Sequence, residues 1–268
     1  MNFVVDFNQA YSINQHTNNR QIQHTSLKKI DRSLFSSDWC TLPQLFMANP
    51  SYFAIEMIHT HPFIQTIQER FDVPLPGREA QYKMAFAHRV EELQGRLNPP
   101  DDAKIGCILL SLWEADGAWH TALIRRTENP RDRHSGQISF PGGRHDVGDT
   151  SFAHTALREA QEEIGVDPEQ VRILGRLTEL YIPVSNFSVY PFVGLLSAPP
   201  IFQLQPGEVE QVFTVPLPLL QDPSFRSTAD VMVGGQLLVR EVPCFMIEDR
   251  PVWGATAMIL SEFLALVS

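Results

Sequence analysis

Cysteine is scarce in this chain. Cys40, Cys107 and Cys244 are the 3 thiols among 268 residues, odd in number and without metal-ligand spacing, which excludes a disulfide framework and a thiolate zinc site. They read as ordinary thiols of a reducing cytoplasm, the expected location. Long hydrophobic runs are missing too, since no stretch reaches the roughly 18 consecutive apolar residues of a membrane span. The first residues, MNFVVDFNQAYSINQ, contain no basic segment followed by an apolar block, so neither secretion nor membrane insertion is expected. Positive charge is in deficit, with 21 Lys and Arg against 31 Asp and Glu and a net charge of −10. A general nucleic-acid binder needs a basic footprint, so no nucleic-acid partner is expected.

One segment runs against that balance. Between Arg125 and His145 lie Arg125, Arg126, Arg131, Arg133 and Arg144, opposed by Glu128 and Asp132. Basic charge concentrated in an otherwise acidic chain suits a polyanionic small molecule better than a duplex.

The apolar content of 43% is that of a globular protein with ample core. Asn, Gln, Ser, Thr and His crowd positions 8–26 without apolar periodicity. Residues 1–60 are therefore read as an amino-terminal extension, disordered or loosely docked, and 61–268 as the folded domain. Helical spacing runs from Phe63 to Phe71, and a second helix is expected from Glu79 to Leu97. Ile105 to Trp113, IGCILLSLW, is a continuous apolar run of strand length. Asp116-Gly117 should turn it into a partner strand from Trp119 to Arg125. Further strands are expected over 171–180, 187–196, around Val231, over 237–242 and over 244–247, with a last helix beginning at Val252-Trp253-Gly254. Trp253 is read as a core anchor in preference to a ligand stack.

The stretch that demands chemistry is Gly142 to Val166, GGRHDVGDTSFAHTALREAQEEIGV. Glu159, Glu162 and Glu163 fall within roughly 100° of helical arc, beside an apolar stripe of Ala153, Ala156, Leu157, Ala160 and Ile164. Like charges at that spacing repel, so the cluster needs either open water or a hard divalent cation that takes oxygen ligands. A solvated acidic face is the competing reading. Against it, Gly142-Gly143 allows backbone to approach a ligand, Asp149, Thr150 or Ser151 can cap the helix start, and Gly165 can stop it.

Arg158 to Val166, REAQEEIGV, resembles the core of the Nudix box at every fixed position. Upstream the spacing departs: Gly143 is followed after five residues by Asp149 and after eight more by Arg158, where the usual form has a glutamate and a seven-residue gap. That departure, together with Ser135 to Gly143 (SGQISFPGG), Leu75 to Ala85 (LPGREAQYKMA) and Val252 to Ala257 (VWGATA), is similar to the coenzyme A pyrophosphatase branch of the Nudix hydrolases.

The resemblance implies an α/β architecture, the Nudix fold, with a mixed β-sheet sandwiched between α-helices. It also implies metal-dependent hydrolysis of the diphosphate bond of coenzyme A or a derivative. Mg²⁺ or Mn²⁺ would be held by Glu159, Glu162, Glu163 and the carbonyl of Gly142. Arg158 would orient Glu159, and Arg126, Arg131, Arg133 and Arg144 would bind the substrate. The general base stays open between a box glutamate and Glu208 or Glu210. The implied partner is a small-molecule diphosphate of the coenzyme A class, with no membrane and with a homodimer left open. Two rivals remain. One keeps the enzyme class and changes the substrate to ADP-ribose, a dinucleoside polyphosphate or a nucleoside triphosphate; the other is a Nudix-fold binding module without turnover.

Overall fold

Lys104–Ala115 (β1) is apolar without alternation because both of its faces are buried. Cys107, Leu109 and Trp113 enter one core cluster, while Leu110 and Leu112 enter the other. The computed structural model describes residues 61–94, 99–128, 136–233 and 237–268. The amino-terminal extension expected over 1–60 lies outside them, as do Arg131, Arg133 and His134. No described helix is long and apolar enough to cross a membrane.

The order before β1 is Pro62–Phe71 (α1), Gly77–Tyr82 (α2) and Ala87–Gln94 (α3). After it come Ala118–Arg126 (β2), Ile138–Ser139 (β3), Gly142–Arg144 (β4), Phe152–Ile164 (α4), Val171–Arg176 (β5), Leu180–Ile182 (β6), Phe187–Leu196 (β7) and Val209–Pro216 (β8). Leu217–Gln221 (α5), Arg226–Val233 (β9), Leu237–Ile247 (β10), Arg250–Trp253 (β11) and Gly254–Leu266 (α6) complete it. The larger sheet is mixed. Its path is β3-β2-β1-β7-β5, with β4 paired to β1, β6 to β7 and β8 to β2. Among the described residues of this sheet only β1 and β7 pair in parallel. β9, β10 and β11 form a second antiparallel sheet. Helix α4 covers one face of the larger sheet through Ala156, Ala160 and Ile164. On the other face α6 contributes Ile259, Leu260 and Phe263 to a core that also takes in Ile64 and Ile67 of α1. The α/β architecture, a mixed sheet between helices, is the one expected.

The strands expected separately over 237–242 and 244–247 are one, β10, and three further boundaries differ from the sequence reading for a physical reason. The expected helix over 79–97 breaks after Tyr82, where Met84 and Ala85 N–H groups turn back to Gln81 and Tyr82 carbonyls and Met84 enters the core; its positions 95–97 lie outside the described residues. The strand expected over 171–180 ends at Arg176, because the Thr178 N–H is drawn away to Glu262 on α6. The last helix begins after Trp253, whose strand β11 was not anticipated.

Glu262 is fully buried, and its carboxylate ties three segments together. Oε1 accepts from the N–H groups of Gly77 (3.2 Å) and Thr178 (3.1 Å), and Oε2 accepts from Gln81 Nε2 (2.8 Å). Truncation would strand the Gly77 and Thr178 N–H groups and leave Gln81 Nε2 with its other acceptor, the Thr178 carbonyl at 2.9 Å, and each buried donor left without an acceptor costs its desolvation. Glu262→Ala is expected to lower unfolding free energy by about 3 kcal/mol, measured by urea denaturation. A loss below about 1 kcal/mol would contradict the clamp.

Candidate active site

The Gly142-Gly143 pair sits where β4 lies antiparallel to β1, with Gly142 opposite Ile108 and Gly143 opposite Cys107. Each glycine makes room for something different. Gly142 has φ 151°, and a Cβ there would come within 2.3 Å of the Cys107 carbonyl oxygen and 2.6 Å of Ile108 Cα. At Gly143 a Cβ would fall 2.3 Å from Glu159 Oε2, so the missing side chain is the space the Glu159 carboxylate occupies. The Gly142 N–H in turn donates to Glu163 Oε2 at 2.8 Å.

Helix α4 delivers the carboxylates. Ser151 caps it by accepting from the His154 N–H at 3.1 Å, and Gly165 ends it in the left-handed conformation. Of the three proposed caps, Ser151 is the one used, while Asp149 serves another purpose. The three glutamates do not share one open face, as the helical arc had suggested. Glu163 belongs to the buried face with its side chain 2% exposed, and Glu162 projects outward at 58%. Glu159 lies between them, mostly covered. The helix is rolled so that its Glu163 edge meets the backbone of β4.

Those depths set the electrostatics. Burial pushes the Glu163 carboxyl up to about 7, against the lowering influence of the Gly142 N–H and Arg126, while Glu159 and Glu208 add repulsion. Arg126 Nη1 is 3.4 Å from Glu163 Oε1. Burial also raises Glu159, opposed by Arg158 and reinforced by Glu162 and Glu208. Arg158 is the hub beneath. Its Nε and Nη2 fork onto Asp149 Oδ1 (2.9 Å) and Oδ2 (3.0 Å), and its Nη1 reaches Glu159 Oε1 (2.8 Å) and Glu162 Oε2 (3.2 Å). Nη2 also donates to the Arg144 carbonyl at 3.2 Å. Hydrogen bonding from Arg158 holds Asp149 well below the usual carboxylate range. Thr155 Oγ1 donates to Asp149 Oδ2 at 2.9 Å and lies 2.7 Å from His145 Nδ1.

Among the described residues no three His, Cys, Asp or Glu converge as a ready-made metal cage. The donor chemistry fits a hard cation held by few protein ligands and completed by water. Glu159 and Glu163 are both pushed up, first by burial and then by neighbouring carboxylates that include Glu208, so the pair is short of positive charge. Gly143 keeps the space before Glu159 free of any side chain of its own.

The arginines separate. Arg125 is paired with Glu210 at 2.5 Å, which removes Glu210 from the candidate bases facing the box. Glu208 is exposed, yet its charge is felt by both Glu159 and Glu163. The chain leading to Glu208 is stitched to the end of α4: Gln203 N–H donates to the Ile164 carbonyl and Gln205 N–H to the Glu163 carbonyl, both at 2.9 Å. Arg144 is exposed beside Gly143.

Gly142, Gly143, Arg126 and Arg144 border a cleft of about 920 Å³. Its lining is mainly apolar and contains no Asp or Glu among the described residues. Sequence reading had passed over two of its walls. One carries Tyr181 on β6 and Val184 just after it, and the other carries Phe86 and Arg89 at the start of α3. No local motif marks them, because the chain brings them to the cleft from far along the sequence. Trp253 is only partly buried and faces this cleft, so its role as a plain core anchor does not hold.

The NUDIX domain model matches residues 106–233, which span the strands, the glycine pair and the carboxylate helix just described. Over 150 residues the chain is 37% identical to the Nudix hydrolase NudL of Pectobacterium atrosepticum, covering 55% of this chain and 76% of that protein. The chain belongs to the Nudix hydrolase family. It is also 34% identical to the mitochondrial Nudix hydrolase 15 of Arabidopsis thaliana over 59% of this chain and 56% of that one. The NUDIX domain of Shewanella oneidensis NrtR, solved complexed with ADP ribose, is 22% identical and superposes with a TM-score of 0.38 over 50% of this chain and 87% of that chain. In this Nudix chain Asp149 stands where the usual box has glutamate, and the fork to Arg158 shows how the shorter acid fits.

Proposed function

We propose that this Nudix hydrolase cleaves the diphosphate bond of coenzyme A or a close derivative, giving 4′-phosphopantetheine and adenosine 3′,5′-bisphosphate. The observation that carries the reading is the buried Glu163 and the half-buried Glu159, set against Gly142 and Gly143 at the edge of a cleft that contains arginines and, among the described residues, no acid. A diphosphate repels nucleophiles with its own charge, so a catalyst must first neutralise its oxygens. Arg126 and Arg144 border the glycine end of the cleft and would do so, with guanidinium geometry suited to phosphate.

Glu159 and Glu163 would hold Mg²⁺ or Mn²⁺, with the Gly142 carbonyl and the more exposed Glu162 contributing. The bound cation would supply Lewis acidity and an acidified water. Arg158, held by Asp149, keeps the Glu159 carboxylate in place, and the Gly142 N–H and Arg126 do the same for Glu163. In the reaction the water oxygen bonds to phosphorus as the bridging P–O bond breaks, and the water proton passes to a base. Glu208 is the acid from a later loop that faces the box glutamates electrostatically. The apolar walls suit the pantetheine arm.

A substrate panel with Mg²⁺ or Mn²⁺ tests this. Coenzyme A and dephospho-coenzyme A should be hydrolysed faster than ADP-ribose or diadenosine polyphosphates, and EDTA should abolish turnover. Preference for ADP-ribose would overturn the coenzyme A reading and leave the family intact, whereas turnover undiminished by EDTA would overturn the metal.

A further inference from the structure

We propose that Thr155 is a positioning residue for the reaction: its hydroxyl links His145 to Asp149, so that Asp149 holds the Arg158 guanidinium, and through it the Glu159 carboxylate, in one orientation. This rests on the metal-dependent reading above and extends it to side chains that touch neither cation nor substrate.

Asp149 is held by more than its ion pair. Its side chain is 3% exposed, and three donors converge on Oδ2: Arg158 Nη2 at 3.0 Å, Thr155 Oγ1 at 2.9 Å and the Asp146 N–H at 3.1 Å. They fix the carboxylate plane. The Arg158 guanidinium is rigid and planar, so the fork onto Asp149 also sets the direction of Nη1, which lies 2.8 Å from Glu159 Oε1.

A hydroxyl has one proton to give. Ionised Asp149 can only accept, and the other acceptor near Thr155 Oγ1, the Ser151 carbonyl, is farther at 3.3 Å. The Thr155 proton therefore goes to Asp149, and the remaining neighbours must donate. His145 Nδ1, 2.7 Å from Oγ1, then carries a proton, as it does in the charged ring and in one neutral tautomer. Cys107, a thiol that burial pushes up to about 11, also keeps its proton beside Thr155. His145 is itself anchored. Its N–H donates to the Ile105 carbonyl at 2.9 Å, and its ring meets Phe152 in a T-shaped contact at 5.0 Å.

Thr155 is fully buried on α4, where valine would fill nearly the same volume without a hydroxyl. That isostere separates packing from positioning. Mn²⁺ binding to the full chain is measured without substrate by electron paramagnetic resonance, beside kcat and KM with Mg²⁺ for the diphosphate turned over fastest. In Thr155→Val, half-saturating Mn²⁺ should rise about fivefold and kcat fall about tenfold, with KM within about twofold. Thr155→Ser keeps the hydroxyl and should restore both. His145→Ala should cost kcat about threefold, and the double variant should lose no more than Thr155→Val alone, because the two groups act in series. Unchanged Mn²⁺ affinity in Thr155→Val, a serine variant as poor as valine, or losses that multiply in the double variant overturn the assignment. A collapsed urea midpoint in Thr155→Val would make Thr155 structural and overturn it too. If Mn²⁺ binding weakens as expected while the wild type hydrolyses no diphosphate, the proposed reaction fails and the positioning role stands.

Discussion

Glu163→Gln should lose turnover by on the order of 10³-fold and, without metal, become more stable than the wild type at neutral pH. Both effects have one cause. The Glu163 carboxyl is 2% exposed, and burial lifts it from 4.5 to about 7. A carboxyl raised on folding contributes stability that is fully present below its unfolded value and is lost as pH rises through its folded value. The window therefore runs from about 4.5 to about 7, and above it the ionised, buried side chain costs up to about 3 kcal/mol. Glutamine cannot ionise. It can still accept from the Gly142 N–H, so the variant should keep the fold and shed that cost.

The measurement is urea unfolding of both proteins in EDTA at pH 5 and pH 8, beside kcat with Mg²⁺. The stability advantage of the variant should appear at pH 8 and shrink at pH 5. Added Mg²⁺ should then stabilise the wild type and not the variant, by linkage to binding. Undiminished turnover would remove Glu163 from the catalytic set, and a variant less stable than wild type at pH 8 would show that burial is not what strains this position. This is the stability cost of a functional site placed on one atom pair.

What could be read from the chain beforehand divides by the range of the interactions. Local chemistry was legible: the strand at Ile105 to Trp113, the Asp116-Gly117 turn, the Ser151 cap among its alternatives and the Gly165 stop all follow from adjacent residues. The resemblance to the Nudix box was carried by residues within 25 positions of one another, and it pointed to the helix and glycine pair that the structure brings together, whereas the resemblance to the branch drew on segments from Leu75 to Ala257. The roll of α4 could not be read that way. Its helical arc makes Glu159, Glu162 and Glu163 near equivalent, and only contact with β4 makes Glu163 buried and Glu162 solvent-facing. Likewise Glu208 and Glu210 are indistinguishable in sequence until Arg125 claims one of them. Arg89 and Tyr181 enter the cleft through packing between distant segments, and neither carries a pattern that could announce it.

The two adjacent glycines should respond in opposite ways to the same substitution. Gly142→Ala places a methyl group 2.3 Å from the Cys107 carbonyl oxygen and 2.6 Å from Ile108 Cα, at φ 151°. Backbone of the central strand cannot yield cheaply, so β4 must separate from β1, and the expected cost is about 3 kcal/mol or more. Loss of the Gly142 N–H to Glu163 follows from the same movement. Gly143→Ala meets only the end of the Glu159 side chain, at 2.3 Å, and a side chain can rotate away. Its cost to stability should be about 1 kcal/mol. Its cost to function should be large, because the displaced carboxylate leaves both Arg158 and the space beside Gly143, and turnover should fall by on the order of 100-fold. Unfolding midpoints separate the first variant from the second, and Mn²⁺ titration followed by kcat separates the second from wild type. Full metal affinity and turnover in Gly143→Ala would mean that Glu159 acts from some other position, and a native midpoint in Gly142→Ala would mean that β4 is free to move.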